Sequence, residues 1–186
     1  LNLHSIHFPV GCEANWQSLP VQPSDPNLTH WLLDTGSLTE KLQSQCHHFS
    51  LQLLGQDQRD PTQAEKQRLA ASANQNWQVR EVILYGDQQP WVFARSVISQ
   101  SLYELDMAEI GAQPLGQIIF NDARFVRQPF ELCHLSAEHP LLSNLGIKYQ
   151  RPLWGRRSLF TFQQSKLLIA EIFLPQSPAY LNNRNA

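Results

Sequence analysis

Two hydrophobic periods alternate along the chain. Leu28, Trp31, Leu32 and Leu33 recur at helical spacing after Ser24 and Pro26, and Gly36 closes the run. Ser24 suits an N-cap and Pro26 a first turn whose N–H has no intrahelical use. Ser37-Leu38-Thr39-Glu40 reads as a capping box opening a second helix to about Cys46. Residues 25–46 therefore predict a helical hairpin with a very short turn.

After it the period shortens. Residues 47–55 read as a strand, and a polar stretch follows with a short helix from Thr62 to Ala71. Trp77 to Tyr85 and Pro90 to Ser99 are rich in β-formers and flank Gly86-Asp87-Gln88-Gln89, which predicts a hairpin. Residues 100–111 and Pro114 to Phe120 read as helical, and 124–134 as a strand. Residues 135–153 contain Pro140, Gly146 and Pro152 and read as a long loop. Residues 155–163 and 167–175 predict a last hairpin across Gln164-Ser165-Lys166. About six strands joined by hairpins or short helical links argue for an antiparallel sheet with helices on one side, a single α+β domain. Residues 1–24, broken by Pro9, Pro20 and Pro23, form an irregular lead; 25–180 form the domain and 181–186 a tail.

Composition narrows the class. With 186 residues, 42% hydrophobic and 16% charged, the chain can build a core. A formal net charge of −2 speaks against a nucleic-acid binder that works by neutralising phosphate. No apolar run approaches the ~20 residues of a membrane span, so no stable membrane insertion is expected. Leu1 to Val10 has no Lys or Arg and so lacks the plan of a signal peptide. Cys12, Cys46 and Cys133 are widely spaced and odd in number, which suits free thiols in a reducing, cytoplasmic setting. The adjacent His47-His48 cannot share one face, no H-E-x-x-H occurs, and no metal is expected. Gly-rich nucleotide signatures are absent, so nucleotide binding through them is not expected. The charged, Gln-rich surface positions suit a monomer.

The chemistry lies in charges set inside apolar strands. By period-2 alternation Arg80 shares a face with Val82 and Leu84, Arg95 with Trp91, Phe93 and Val97, and Glu171 with Leu167, Ile169 and Phe173. A buried charge needs a partner. One reading is an Arg–Glu ion pair that fixes sheet register. The other is a pocket in which two Arg hold carboxylates and one Glu accepts from a hydroxyl or handles a proton. Such a site suits a small dianion with an apolar core. Of Arg156 and Arg157, one is expected to point outward, and Trp31 and Trp91 are expected in the core.

These residues fall in blocks that resemble the chorismate pyruvate-lyase (4-hydroxybenzoate synthase) family. The blocks are W-L-L-D-T-G-S-L-T at 31–39, R-E-V-I-L at 80–84, P-W-V-F-A-R-S-V at 90–97, P-L-G-Q-I-I-F at 114–120, L-W-G-R-R-S at 153–158 and L-L-I-A-E-I-F-L-P-Q-S-P-A-Y at 167–180. They keep the family's order over most of 28–180. The resemblance implies an enclosed cavity under two helical flaps and conversion of chorismate to 4-hydroxybenzoate and pyruvate without metal or cofactor. The product would feed ubiquinone or plastoquinone synthesis. By position the resemblance assigns substrate binding to Arg80 and Glu171, and to the flap positions Leu115, whose backbone N–H meets the ligand, and Leu38, where the family often has Met. Arg95 matches a second family Arg near the cavity. The segment 135–152 is longer than in enterobacterial members. The fold is also similar to effector-sensing domains of bacterial regulators, so the alternative is a module that binds a small aromatic acid without turnover.

Overall fold

The structure, a computed structural model, describes residues 6–19, 21–107, 113–120 and 122–183. Strand β1 (Gln17–Ser18) precedes helices α1 (Pro26–Leu33) and α2 (Leu38–Gln43). The cap of α1 is Asp25, one residue later than expected: its Oδ1 accepts from the N–H groups of Asn27 (2.8 Å) and Leu28 (3.2 Å). Ser37 caps α2 through the Glu40 N–H. Strand β2 (Phe49–Gln58) leads to α3 (Gln63–Leu69), which opens on a complete capping box between Thr62 and Glu65. The hairpin β3 (Trp77–Gly86) and β4 (Gln89–Ser99) follows, then α4 (Gln100–Leu102), which runs into a π-helical turn at Tyr103–Met107. The expected helix at 100–111 is described only to Met107; its remainder lies outside the described residues.

Helix α5 (Leu115–Phe120) precedes β5 (Val126–Arg127) and β6 (Glu131–Leu135). These two occupy the single strand expected at 124–134. Both pair with β7 (Leu153–Phe162), and the register slips by one residue between them. Pro129 lies in the break, where it has no N–H to give to a ladder. The expected loop at 135–153 carries a short helix, α6 (Pro140–Asn144), with Leu141 and Leu142 buried. Strand β8 (Ser165–Phe173) and a 3₁₀ segment (Pro178–Asn183) end the described chain.

The strands form one antiparallel sheet in the order β1-β6-β7-β8-β4-β3-β2, with β5 beside β7. The fold class is therefore α+β as expected, the two-residue β1 and β5 being additional to the six longer strands. Register assigns the faces. Arg80 pairs with Ser96, Ser96 with Ile169, and Ile169 with Ser158, a row across β3, β4, β8 and β7. Beside it runs Val82, Ala94, Glu171 and Arg156. This first face meets the α1–α2 hairpin and α5: Trp31, Leu38 and Leu42 pack with Val82 and Phe173, while Leu115 and Ile119 pack with Ile169. The second face carries the row Glu81, Arg95, Ala170 and Arg157. Helix α3 covers it, with Leu69 against Val79, Val97, Leu159 and Leu168, so the helices occupy both faces rather than one. The lead segment also crosses the second face. Val10 and Gly11 donate their N–H groups to the fully buried carboxylate of Glu81, at 2.6 and 2.9 Å. Among the described residues no helix is long and apolar enough to cross a membrane.

Candidate active site

A cavity lies between the first face and the two helical flaps. Its floor is the pair of cross-strand rows. Its roof is the start of α2 (Leu38, Thr39) and the start of α5 (Pro114, Leu115, Gly116). The flaps meet closely: a Cβ on Gly116 would lie 3.2 Å from Thr39 Oγ1. Arg127 and Phe130 close one side.

Arg80 stands at one end, on β3, with 2% of its surface exposed. Its Nη1 donates to Gln56 Oε1 at 2.8 Å and its Nη2 to the carbonyl of Gln113, just before α5, at 3.1 Å. Gln56 is held in turn by Nε2 donating to the Tyr103 hydroxyl at 2.9 Å. Burial lowers the pKa of Arg80 from its ordinary value, with Tyr103 opposing, yet an arginine stays cationic. Glu171 stands toward the other end and accepts from Arg156 Nε at 2.6 Å. Two strand spacings of about 4.8 Å and two residues of about 3.3 Å put the Cα atoms of Arg80 and Glu171 roughly 12 Å apart.

Arg156 is 1% exposed. Beyond Glu171, its Nη1 donates to the carbonyls of Trp31 (3.1 Å), Leu32 (3.4 Å) and Asp34 (2.8 Å), which end α1. A cation at a helix C-terminus meets carbonyls that lack intrahelical donors. Arg156 thus ties the floor to the first flap. Its backbone approach depends on Gly155, where a Cβ would press on Ile172 and lie 3.0 Å from the Glu171 carbonyl.

The charged lining residues are three arginines, Arg80, Arg127 and Arg156, and one acid, Glu171. The guanidinium groups of Arg127 and Arg156 both stack on the Phe130 ring, 4.6 and 4.7 Å from its centroid. Burial lowers the pKa of Arg127, and the charge of Arg156 adds to this against the pull of Glu171 and Asp34. Ser158 lies on the floor, 3% exposed, and its Oγ has no hydrogen-bond partner among the described residues. The cavity therefore favours an anion, and an excess of two positive charges suits a dianion.

Four of the five expected site residues, Leu38, Arg80, Leu115 and Glu171, line this cavity. Arg95 does not, and its expected place is corrected. Because Ser96 pairs with Arg80, Arg95 falls on the second face, opposite Glu81. There it is 5% exposed and gives Nε and Nη2 to Glu65 (2.7 and 3.0 Å) and Nη1 to Glu81 (2.7 Å). Burial raises the pKa of Glu65, but the Arg95 and Thr62 contacts outweigh it and the carboxyl lies below its ordinary value. The ion-pair alternative thus describes Arg95, with acids other than Glu171. Nor does either of Arg156 and Arg157 point outward: Arg157 is buried on the second face and donates to Glu131 at 2.7 Å. Sequence reasoning missed Arg156, Arg127 and Ser158. The alternation Arg156, Ser158, Phe160 on β7 was the available signal for two of them.

Residues 12–185 match the family described as chorismate lyase. A probable chorismate pyruvate-lyase of Pseudoalteromonas atlantica is 49% identical over 179 residues, 93% of this chain and 92% of the relative. One from Shewanella sp. (strain ANA-3) is 35% identical, covering 94% and 95%. Among solved structures, PhnF from Mycobacterium smegmatis superposes with a TM-score of 0.60 at 13% identity, over 77% of this chain and 65% of that one. Its effector domain gives 0.59 at 14% identity, over 77% and 91%. At such identities these two share the fold alone.

Proposed function

Because the chain belongs to the chorismate lyase family, we propose that the cavity under its flaps converts chorismate to 4-hydroxybenzoate and pyruvate. The observation that carries the reading is the charge pattern: three guanidinium groups and one carboxylate line a single pocket between the sheet and the two flaps. Chorismate is a dianion, with one carboxylate on the ring and one on the enolpyruvyl ether.

Arg80 anchors the ring carboxylate, with the Leu115 N–H beside it, by charge-assisted hydrogen bonds. Glu171, fixed by Arg156, accepts from the ring hydroxyl. Leu38 and Leu115 press on the ring from the roof. So held, the ether C–O bond breaks, the hydrogen on the hydroxyl-bearing ring carbon passes to the enolpyruvyl methylene, and the ring becomes aromatic. Aromatisation supplies driving force. The protein's part is to hold the ether over that hydrogen and to exclude water. The reading extends to a monomer in the cytoplasm whose product enters ubiquinone or plastoquinone synthesis. What supports the compartment is that all three cysteines are free thiols.

The test is to incubate the purified chain with chorismate and follow 4-hydroxybenzoate and pyruvate together. Equal formation of both above the spontaneous rate, lost in Arg80→Ala, is the expected result. A tight complex with 4-hydroxybenzoate and no turnover of chorismate would move the protein to the class of binding modules.

A further inference from the structure

Arg80 and Glu171 account for two polar ends of a ligand, and chorismate has three. The polar lining residues not yet given a role are Thr39, Ser96, Ser158 and Arg127, and the last two stand apart from the flap and from Arg80. These two are neighbours in the sheet. Arg127 pairs with Phe160 on β7, and Ser158 is two residues further along β7 on the same face. Diagonal neighbours of this kind lie about 7–8 Å apart at Cα, within reach of one small anion for a long side chain and a hydroxyl. Ser158 is the odd group of the floor. A buried hydroxyl ordinarily finds a partner, but its Oγ has none among the described residues. It is set between Phe160 and Arg156 along β7 and opposite Ile169 on β8. Arg127 meets a second guanidinium, that of Arg156, on the same Phe130 ring. Two cations around one ring repel, and an anion placed against them removes that cost.

We propose that Ser158 and Arg127 form the subsite for the side-arm carboxylate of the substrate, the part that leaves as pyruvate. The proposal rests on the lyase reading for the identity of the arm, and it assigns this corner a selectivity that the rest of the cavity lacks. The ring carboxylate and hydroxyl are present in both substrate and 4-hydroxybenzoate. The side-arm carboxylate is present only in the substrate. Ser158 and Arg127 therefore discriminate substrate from the aromatic product, whereas Arg80 and Glu171 hold both. The corner also fixes the arm's rotation about the ether, which sets the methylene over the ring hydrogen.

The experiment uses full-length Ser158→Ala and Arg127→Gln. Dissociation constants for chorismate are read by stopped-flow tryptophan fluorescence before turnover, and those for 4-hydroxybenzoate by equilibrium titration. Each variant is expected to bind chorismate on the order of tenfold more weakly and 4-hydroxybenzoate within about twofold of the unaltered chain. The thermal midpoint of Ser158→Ala should hold or rise, because an unpartnered hydroxyl has left an apolar setting. Equal weakening of both ligands, or of neither, overturns the subsite. Turnover by the unaltered chain without selective loss in the variants defeats the subsite and leaves the lyase standing. Selective loss in a chain that does not turn chorismate over does the reverse.

Discussion

Arg95→Met separates the two faces of the sheet. The substitution keeps an unbranched apolar stem on β4 and removes a guanidinium that makes three hydrogen bonds of 2.7–3.0 Å to Glu65 and Glu81. Both acids are then left buried, Glu81 completely so. Breaking a buried pair from one side costs about 3–5 kcal/mol, most of it the uncompensated charge. At roughly 2–4 °C per kcal/mol for a chain of this size, the melting temperature should fall by about 6–20 °C. The loss should depend on pH. Burial raises the pKa of Glu65, but Arg95 chiefly, with Thr62, brings it below its ordinary value. A carboxyl depressed in the folded state contributes stability that is present above its unfolded pKa and fades as pH falls through the folded one. Without Arg95, burial is left largely unopposed, and the folded variant takes up a proton more readily than the unfolded chain. The gap between the two proteins should therefore be widest near pH 7 and narrow toward pH 4.5. Urea unfolding at the two pH values measures it. Binding of 4-hydroxybenzoate by the folded fraction should stay within about twofold, since Arg95 is across the sheet from the cavity. A variant of ordinary stability that had lost the ligand would refute the face assignment.

Arg80→Ala should lower kcat/KM on the order of 10²-fold, about 3 kcal/mol for a lost charge-assisted contact, in steady-state assays with chorismate. Glu171→Gln keeps an acceptor for Arg156 but not its charge; we expect kcat/KM to fall by about tenfold or more and stability by about 1–3 kcal/mol, read from initial rates and urea melts. Gly155→Ala should destabilise by about 1–3 kcal/mol, because its Cβ meets Ile172 and the Glu171 carbonyl; an unchanged urea midpoint would contradict that packing. In the folded chain a thiol reagent should modify Cys46 first, since Cys12 and Cys133 are buried and burial pushes the Cys133 thiol up to about 12.

Local signals read well from the sequence where a few residues decide the outcome. Ser37 caps α2 through the Glu40 N–H at the expected place, and the β3–β4 hairpin turns at Asp87-Gln88, within the expected turn. Faces within a strand were also legible, since alternation alone sets Arg80 with Val82. What alternation cannot give is which face of one strand continues which face of the next. That is fixed by register, and register by turns. The β7–β8 turn is Gln163-Gln164, with Phe162 opposite Ser165, rather than Gln164-Ser165-Lys166. Gln163 takes the left-handed conformation, φ 53°, without the Gly that would have marked the place. With the true turn, Arg156 falls opposite Glu171; the expected turn would have set Glu171 against Leu159, and the floor's central ion pair stays hidden. Arg95 was misplaced by a bulge instead: the β3–β4 turn alone would set Arg80 opposite Arg95, but the register shifts by one between Leu84 and Tyr85 and brings Ser96 to that place. Alternation sets Ser158 on the face of Arg156, but what singles it out as a site residue is an Oγ with no partner among the described residues, which only the folded chain shows.

One guanidinium in this fold has two duties. If Arg80 anchors the ligand carboxylate as proposed, it does so with the same fork that grips the Gln113 carbonyl just before α5. Admission and recognition are thus not separable traits. A substitution that strengthens the grip on the threshold also competes with the incoming anion, and one that frees the fork for a tighter ligand loosens the door behind it. On that proposal, a lineage or designer tuning how fast this cavity empties would act through the same cation that selects what fills it.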